Sequence, residues 1–305
     1  MMRRRGIFTA PGLVLLIYVL LLCSRFVDSS AFSDSNSYLT VVVLQLMIFL
    51  LPAVIYCKLR GDALHGRLRI RIVGLEQWLL VPAAALVLIC GAFLIGFAMG
   101  GIEQLDTRFS LYDNFVAVTD GGAGNFLYSL LAFAVLPAIC EEFVFRAVLC
   151  AELEENGLPA AVLISALFFA MLHFDLAQFP IYFFAGILLA LVLYATRSVL
   201  GAILVHLLYN LFGLFGRPYV TELYNRTGSA SLFIFIVVVL FLLAVIFFFG
   251  EAARSYSGYA RRGLTAAYHR PRSAREKHNA RFAEALLTPL GLIAALFYLI
   301  VVIAV

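Results

Sequence analysis

Long apolar runs alternate with short polar breaks along the whole chain. Nine runs are of the order of the ~20 residues that carry an α-helix across a bilayer: 7–23, 38–57, 77–99, 125–149, 160–174, 179–196, 200–216, 230–249 and 286–305. The run at 160–174 is short for a crossing, so it either extends past these ends or tilts. The breaks are short except at 58–76, 100–124 and 250–285, which leaves no room for a soluble domain. The pattern predicts an all-α, polytopic membrane helix bundle of about nine transmembrane helices, forming a single membrane domain over 1–305. No internal or inverted repeat is evident.

Composition sharpens this reading. Of the 305 residues, 64% are hydrophobic and 13% charged. The mean hydropathy is +1.01. Soluble domains are nearer ~45–50% apolar, so a soluble globular protein is excluded. The five cysteines, Cys23, Cys57, Cys90, Cys140 and Cys150, are scattered in or beside apolar runs. Their odd count and the absence of a CxxC pair argue against a disulfide framework or a thiolate metal site. They read as small buried apolar residues.

The net charge of +4 gains meaning only when the charges are placed by break. With the N-terminus in the cytoplasm, 18 of the 22 basic residues fall inside: Arg3 to Arg5, the five from Lys58 to Arg71, Arg146, Arg197 and eight in 250–285. Only Arg25, Arg108, Arg217 and Arg226 fall outside. The positive-inside rule asks for this asymmetry, and it puts the C-terminus outside. Arg3 to Arg5 before an apolar run also resembles a signal peptide. However, "SRFVDSSAF" has no small-x-small site, so the first run reads as an uncleaved anchor; cleavage would leave eight helices. The stretch 250–285 contains "RSYSGYARRGLTAAYHRPRSAREKHNAR". It reads as a basic cytoplasmic loop facing anionic lipid headgroups rather than as a nucleic-acid tail. His65, His269 and His278 read as solvated residues of such loops.

Ionisable groups inside apolar runs need a reason, because each costs ~2.5–3.5 kcal/mol at a helix centre. The sequence "CEEFVFR" puts Glu141, Glu142 and Arg146 in the fourth run. Glu142 and Arg146 are at i, i+4 and share a helix face, so they can pair. Glu141 projects ~100° away around the helix and has no basic partner in its own helix. The trio therefore divides into Glu141 for chemistry, with Glu142 and Arg146 for positioning. The fifth run carries Phe169 and His173 at i, i+4, and the seventh carries His206 and Asn210 at the same spacing. A lone intramembrane histidine is more often a satisfied core residue, and His206 with Asn210 also reads as hydrogen-bonding glue between helices. Together, one carboxylate, two histidines and an asparagine in three runs favour a shared polar cavity, where each group relieves another's desolvation. Counting rise from the cytoplasmic side puts His206 ~9 Å deep and His173 ~20 Å deep. Convergence therefore requires the fifth run to end elsewhere or to tilt.

These residues resemble the signature of the CPBP family, which contains CAAX prenyl proteases and bacteriocin-processing and self-immunity proteins. Its EExxxR motif matches Glu141, Glu142 and Arg146; its FxxxH matches Phe169 and His173; its HxxxN matches His206 and Asn210. The resemblance covers 125–216, a CPBP-like catalytic core, and departs from the family at Ala147, where glycine is common. It implies an intramembrane endopeptidase in which Glu141 is the general base, His173 helps to polarise water, and His206 and Asn210 form the oxyanion site. A base within reach of water and donors aimed at an oxyanion are what amide hydrolysis needs. Zinc held by Glu141, His173 and His206 is an alternative. No HExxH helix is present, and a metal-free mechanism needs no extra assumption.

Two other functions stand beside the protease: a catalytically silent scaffold or self-immunity protein, and a proton or ion transporter. Transporters commonly show repeats and paired broken helices, and neither is visible here. The expected partners are a lipidated or hydrophobic peptide or protein substrate and the bilayer itself, with no nucleic acid. Compact breaks suggest a bacterial cytoplasmic membrane, with the site facing the cytoplasm.

Overall fold

The computed structural model describes residues 9–24, 26, 37–101, 123–264 and 278–304. Among them every regular element is helical, as the sequence pattern requires. Apolar backbone without water must satisfy its own N–H and C=O groups, which a helix does within one segment.

Among the described residues, five helices are long and apolar enough to cross a membrane: Val41–Arg60, Leu75–Gly100, Phe126–Asn156, Phe179–Thr196 and Ala230–Arg261. A sixth arises if Val199–Phe215 and Arg217–Thr227, bent by 67° at their junction, make one broken span. Three of the nine predicted runs form shorter apolar helices, Ala10–Ser24, Leu158–Met171 and Pro289–Ala304. Nine full crossings are therefore not reproduced among the described residues. A helix of 14 residues such as Leu158–Met171 rises ~21 Å, against a hydrocarbon core of ~30 Å. The chain is a multi-pass helical membrane protein. The orientation expected from Arg3, Arg4 and Arg5 falls on residues outside the described ones.

The stretch expected as a loop over 250–285 begins as helix, because Ala230–Arg261 runs on past residue 249. Its polar end is anchored: Arg254 donates to the Glu76 carbonyl at 3.0 Å, Arg262 pairs with the Glu76 carboxylate at 2.7 Å, and the Tyr259 hydroxyl donates to the Ala195 carbonyl at 3.2 Å. Residues 265–277, with His269, lie outside the described residues. His65 is exposed, as expected. The five cysteines are free, and all but Cys23 are buried.

The helices gather into two compact units interleaved along the chain. The first takes residues 1–70, 140–190 and 264–305; the second takes 71–139 and 191–263. In the first, the segment Phe143–Leu149 packs against Ala10–Ser24, Leu51–Arg60 and Leu158–Met171. Six of its seven residues, Val144 to Leu149, are buried. Gly157, at φ 104°, breaks the chain sharply before Leu158–Met171, in a region of φ that side-chain-bearing residues avoid. In the second unit, Leu80–Gly100 packs against both Val199–Phe215 and Ala230–Arg261. Cys90, Phe93, Val220, Phe233 and Val237 form the buried centre there.

Candidate active site

In the first unit, Glu141 and Glu142 end the helix Leu136–Glu142. From Phe143 to Leu149 the backbone widens into a π-helix, and the Cys150 N–H reaches back five residues to the Phe145 carbonyl. Such widened turns are rare and recur at functional sites. Glu142 and Arg146 are fully buried and form an ion pair, Arg146 Nε to Glu142 Oε2, at 3.1 Å. Glu141, one residue earlier, is half-buried.

The buried guanidinium has two further partners. Arg146 Nη2 donates to the Gly186 carbonyl at 3.2 Å, and its Cζ lies 4.4 Å from the centroid of the Phe169 ring. A buried ion pair is stable only when its remaining polar groups are met. Here a carbonyl and an aromatic face help to meet them. Gly186 is required by shape: a Cβ there would come within 2.7 Å of Ala166 Cα. The helices Leu158–Met171 and Phe179–Thr196 touch backbone to backbone at this point.

Phe169 stands between the arginine and the histidine. Its ring meets Phe145 edge-on at 5.4 Å and His173 at 5.2 Å and 66°. His173 itself is not within a helix. The regular helix ends at Met171, and the chain turns at Phe174, whose φ is +48°. The run expected as a span to residue 174 is therefore a shorter helix that ends in a turn, and His173 sits on the turn. His173 Nδ1 lies 3.0 Å from the Phe169 carbonyl. A carbonyl can only accept, so Nδ1 carries a proton, and in the neutral ring the lone pair is then on Nε2. The imidazole stacks on Tyr182 with centroids 3.6 Å apart and planes 12° apart.

In the second unit, His206 and Asn210 are both buried on the helix Val199–Phe215. Asn210 Nδ2 donates to the Ala134 carbonyl at 3.3 Å. Ala134 lies in a second π-helical turn, Leu131–Val135. Leu207, Leu211 and Phe215 pack against the buried Ala134 and Leu214 beside it.

Residues 123–212 match the family model described as type II CAAX prenyl endopeptidase Rce1-like. This bears out the resemblance read from the motifs. The Rce1-like segment holds all seven motif residues, Glu141, Glu142, Arg146, Phe169, His173, His206 and Asn210. The match suggests a CAAX-type endopeptidase acting in a membrane. No curated protein and no solved structure matches the chain.

Among the described residues no three His, Cys, Asp or Glu side chains group as a metal site. Nor did the sequence reading find Tyr182, Gly186 or the acidic residues that engage the Arg60-to-Arg69 stretch. Arg60 and Arg69 make two-pronged contacts with Glu152 and Glu154. Arg67 reaches Glu155 at 3.3 Å. Three arginines of the 58–76 break thus bind the end of the Rce1-like segment's first helical stretch. Only Gly186 carried a signal, as a small residue in an apolar helix where close packing needs one.

Proposed function

We propose that the chain is an intramembrane endopeptidase that hydrolyses a peptide bond in a prenylated CAAX-type peptide or protein with a water activated by Glu141. One observation carries the reading: a single family match, over 123–212, contains Glu141, His173, His206 and Asn210 together. In this reading Glu141 takes the proton from water as it attacks the scissile carbonyl. His173 orients that water through Nε2, in keeping with the Nδ1 contact to the Phe169 carbonyl. His206 and Asn210 donate to the oxyanion; the Asn210 amide has two N–H bonds, and the Ala134 carbonyl uses one. Glu142 and Arg146 hold the helix that presents Glu141. The 18 basic residues assigned to one side favour a site open to the cytoplasm.

The test is cleavage of a farnesylated CAAX-type peptide by purified protein in liposomes, with the unprenylated peptide as control. Glu141→Gln, which removes charge with little change in volume, should lower the rate by ~10²–10⁴-fold. His173→Ala should also fall steeply, and a chelator should leave the wild type unchanged. Loss of activity with chelator and its return with zinc would move the mechanism to a metal. Equal rates in all variants would overturn the assignment.

A further inference from the structure

We infer that Tyr182 is a positioning residue for His173: its ring fixes the plane in which the imidazole presents Nε2. The inference rests on the catalytic reading of His173 above.

The hydrogen bond to the Phe169 carbonyl at 3.0 Å fixes where Nδ1 points. By itself it leaves the ring able to swing about that bond, because the outer torsion of a histidine is broad. Tyr182 removes this freedom. Its ring centroid is 3.6 Å from that of the imidazole and the planes differ by 12°. Carbon atoms in contact are ~3.5–4.0 Å apart, so the two rings overlie with little lateral offset. Two other ring contacts in the same unit, Phe145 with Phe169 and Tyr18 with Phe174, meet edge to face, and the near-parallel pair Phe179–Phe183 is far wider, at 6.1 Å. Aromatic rings prefer edge-on or offset contacts to full overlap. An edge contact holds a distance; a face contact holds a plane.

The stack is itself held from behind. Tyr182 and Gly186 are at i, i+4 on the helix Phe179–Thr196 and so share a face. At Gly186 that face meets Ala166 with no room for a Cβ, and the Gly186 carbonyl receives Arg146. Phe169 also closes on the imidazole at 5.2 Å and is itself in contact with the Arg146 guanidinium at 4.4 Å. One helix face therefore holds Arg146 with a carbonyl and His173 with an aromatic plane.

The experiment compares wild type, Y182F, Y182L and Y182M with E141Q and H173Q in lipid nanodiscs. It reads kcat and KM on a farnesylated CAAX-type peptide. It also reads the ring-proton shifts of isotopically labelled histidine, with His173 assigned by its loss in H173Q. A phenol ring face-on at this distance moves the His173 ring protons upfield. Y182F should keep that shift and keep kcat within about twofold, whereas Y182L should lose the shift and lose ~10–100-fold in kcat at nearly constant KM. Y182M fills the space with a flexible chain that offers no plane and should behave as Y182L. The inference is overturned if Y182L and Y182M retain kcat, or if Y182F is as damaged as they are, which would make the hydroxyl the acting group. If E141Q and H173Q cleave as fast as wild type, the catalytic reading itself falls. Inactive E141Q and H173Q beside fully active Y182L would overturn the role of Tyr182 alone.

Discussion

The Arg146 guanidinium carbon lies 4.4 Å from the centroid of Phe169, so the arginine of one sequence motif rests on the phenylalanine of the next. Phe169 in turn touches His173. Motif residues 23 and 27 positions beyond Arg146 are thus joined to it by direct contact. The pairing of Glu142 with Arg146 anchors that chain of contacts at 3.1 Å.

Breaking the buried pair should be severe. Arg146→Leu leaves Glu142 buried without its counter-charge, and loss of one partner of a buried pair costs ~3–5 kcal/mol. The double variant Glu142→Leu/Arg146→Leu should recover part of that loss, since two apolar side chains leave no charge stranded. Denaturant titration of the four proteins of this cycle in detergent micelles measures it.

Gly186→Ala should destabilise by ~1–3 kcal/mol, the usual range for overpacking. The new Cβ would meet Ala166 Cα at 2.7 Å and its Cβ at 2.8 Å, both on a helix rather than at the tip of a movable side chain. Ala166→Gly in the Gly186→Ala background opens the same space from the other side and should restore part of the loss.

Asn210→Ala should produce two separable effects. Loss of the bond to the Ala134 carbonyl, 3.3 Å long, should cost ~1–3 kcal/mol of stability because the acceptor is buried. If Asn210 is the oxyanion donor proposed above, its loss should also lower kcat by ~10²–10³-fold. Stability measured beside kcat on the same sample distinguishes them: a stable variant with normal kcat would remove Asn210 from the proposed chemistry.

Ion pairs of different burial should differ in worth. Arg69 and Glu154 are 12% and 6% exposed, whereas Arg226 and Glu222 are 77% and 58% exposed. Arg226→Ala should change stability by less than ~1 kcal/mol. Arg69→Ala should cost ~1–3 kcal/mol, because it strips a buried carboxylate of two charge-assisted hydrogen bonds. Thermal unfolding at low and high salt checks both; salt should act mainly on the exposed pair.

The parts of the site that were legible beforehand are those written within one turn of helix. Glu142 with Arg146 and Phe169 with His173 each lie four positions apart, and helix geometry alone makes such residues neighbours. The Glu142–Arg146 pairing was readable even though the backbone from Phe143 is π-helical, since the widened turn still leaves these side chains adjacent. The ending of the fifth run was not readable. "FFAMLHF" is apolar apart from His173, and hydropathy does not register where a backbone reverses. The helix ends at Met171, and the positive φ at Phe174 then turns the chain.

By itself the sequence determined that this is a helical membrane protein, where its apolar segments lie, and which ionisable groups they carry, because bilayer solvation acts on each segment separately. It also determined the motif residues that lie within the 123–212 match to the Rce1-like family model. Only the tertiary structure decided which apolar helices are long enough to cross, and that Tyr182 covers His173. It likewise decided that the Gly186 carbonyl receives Arg146, and that Arg60 and Arg69 meet Glu152 and Glu154 some 85 to 92 positions along the chain. The physical reason is the same in each case. These contacts join side chains from separate helices, and their partners are selected by packing, which no local periodicity records.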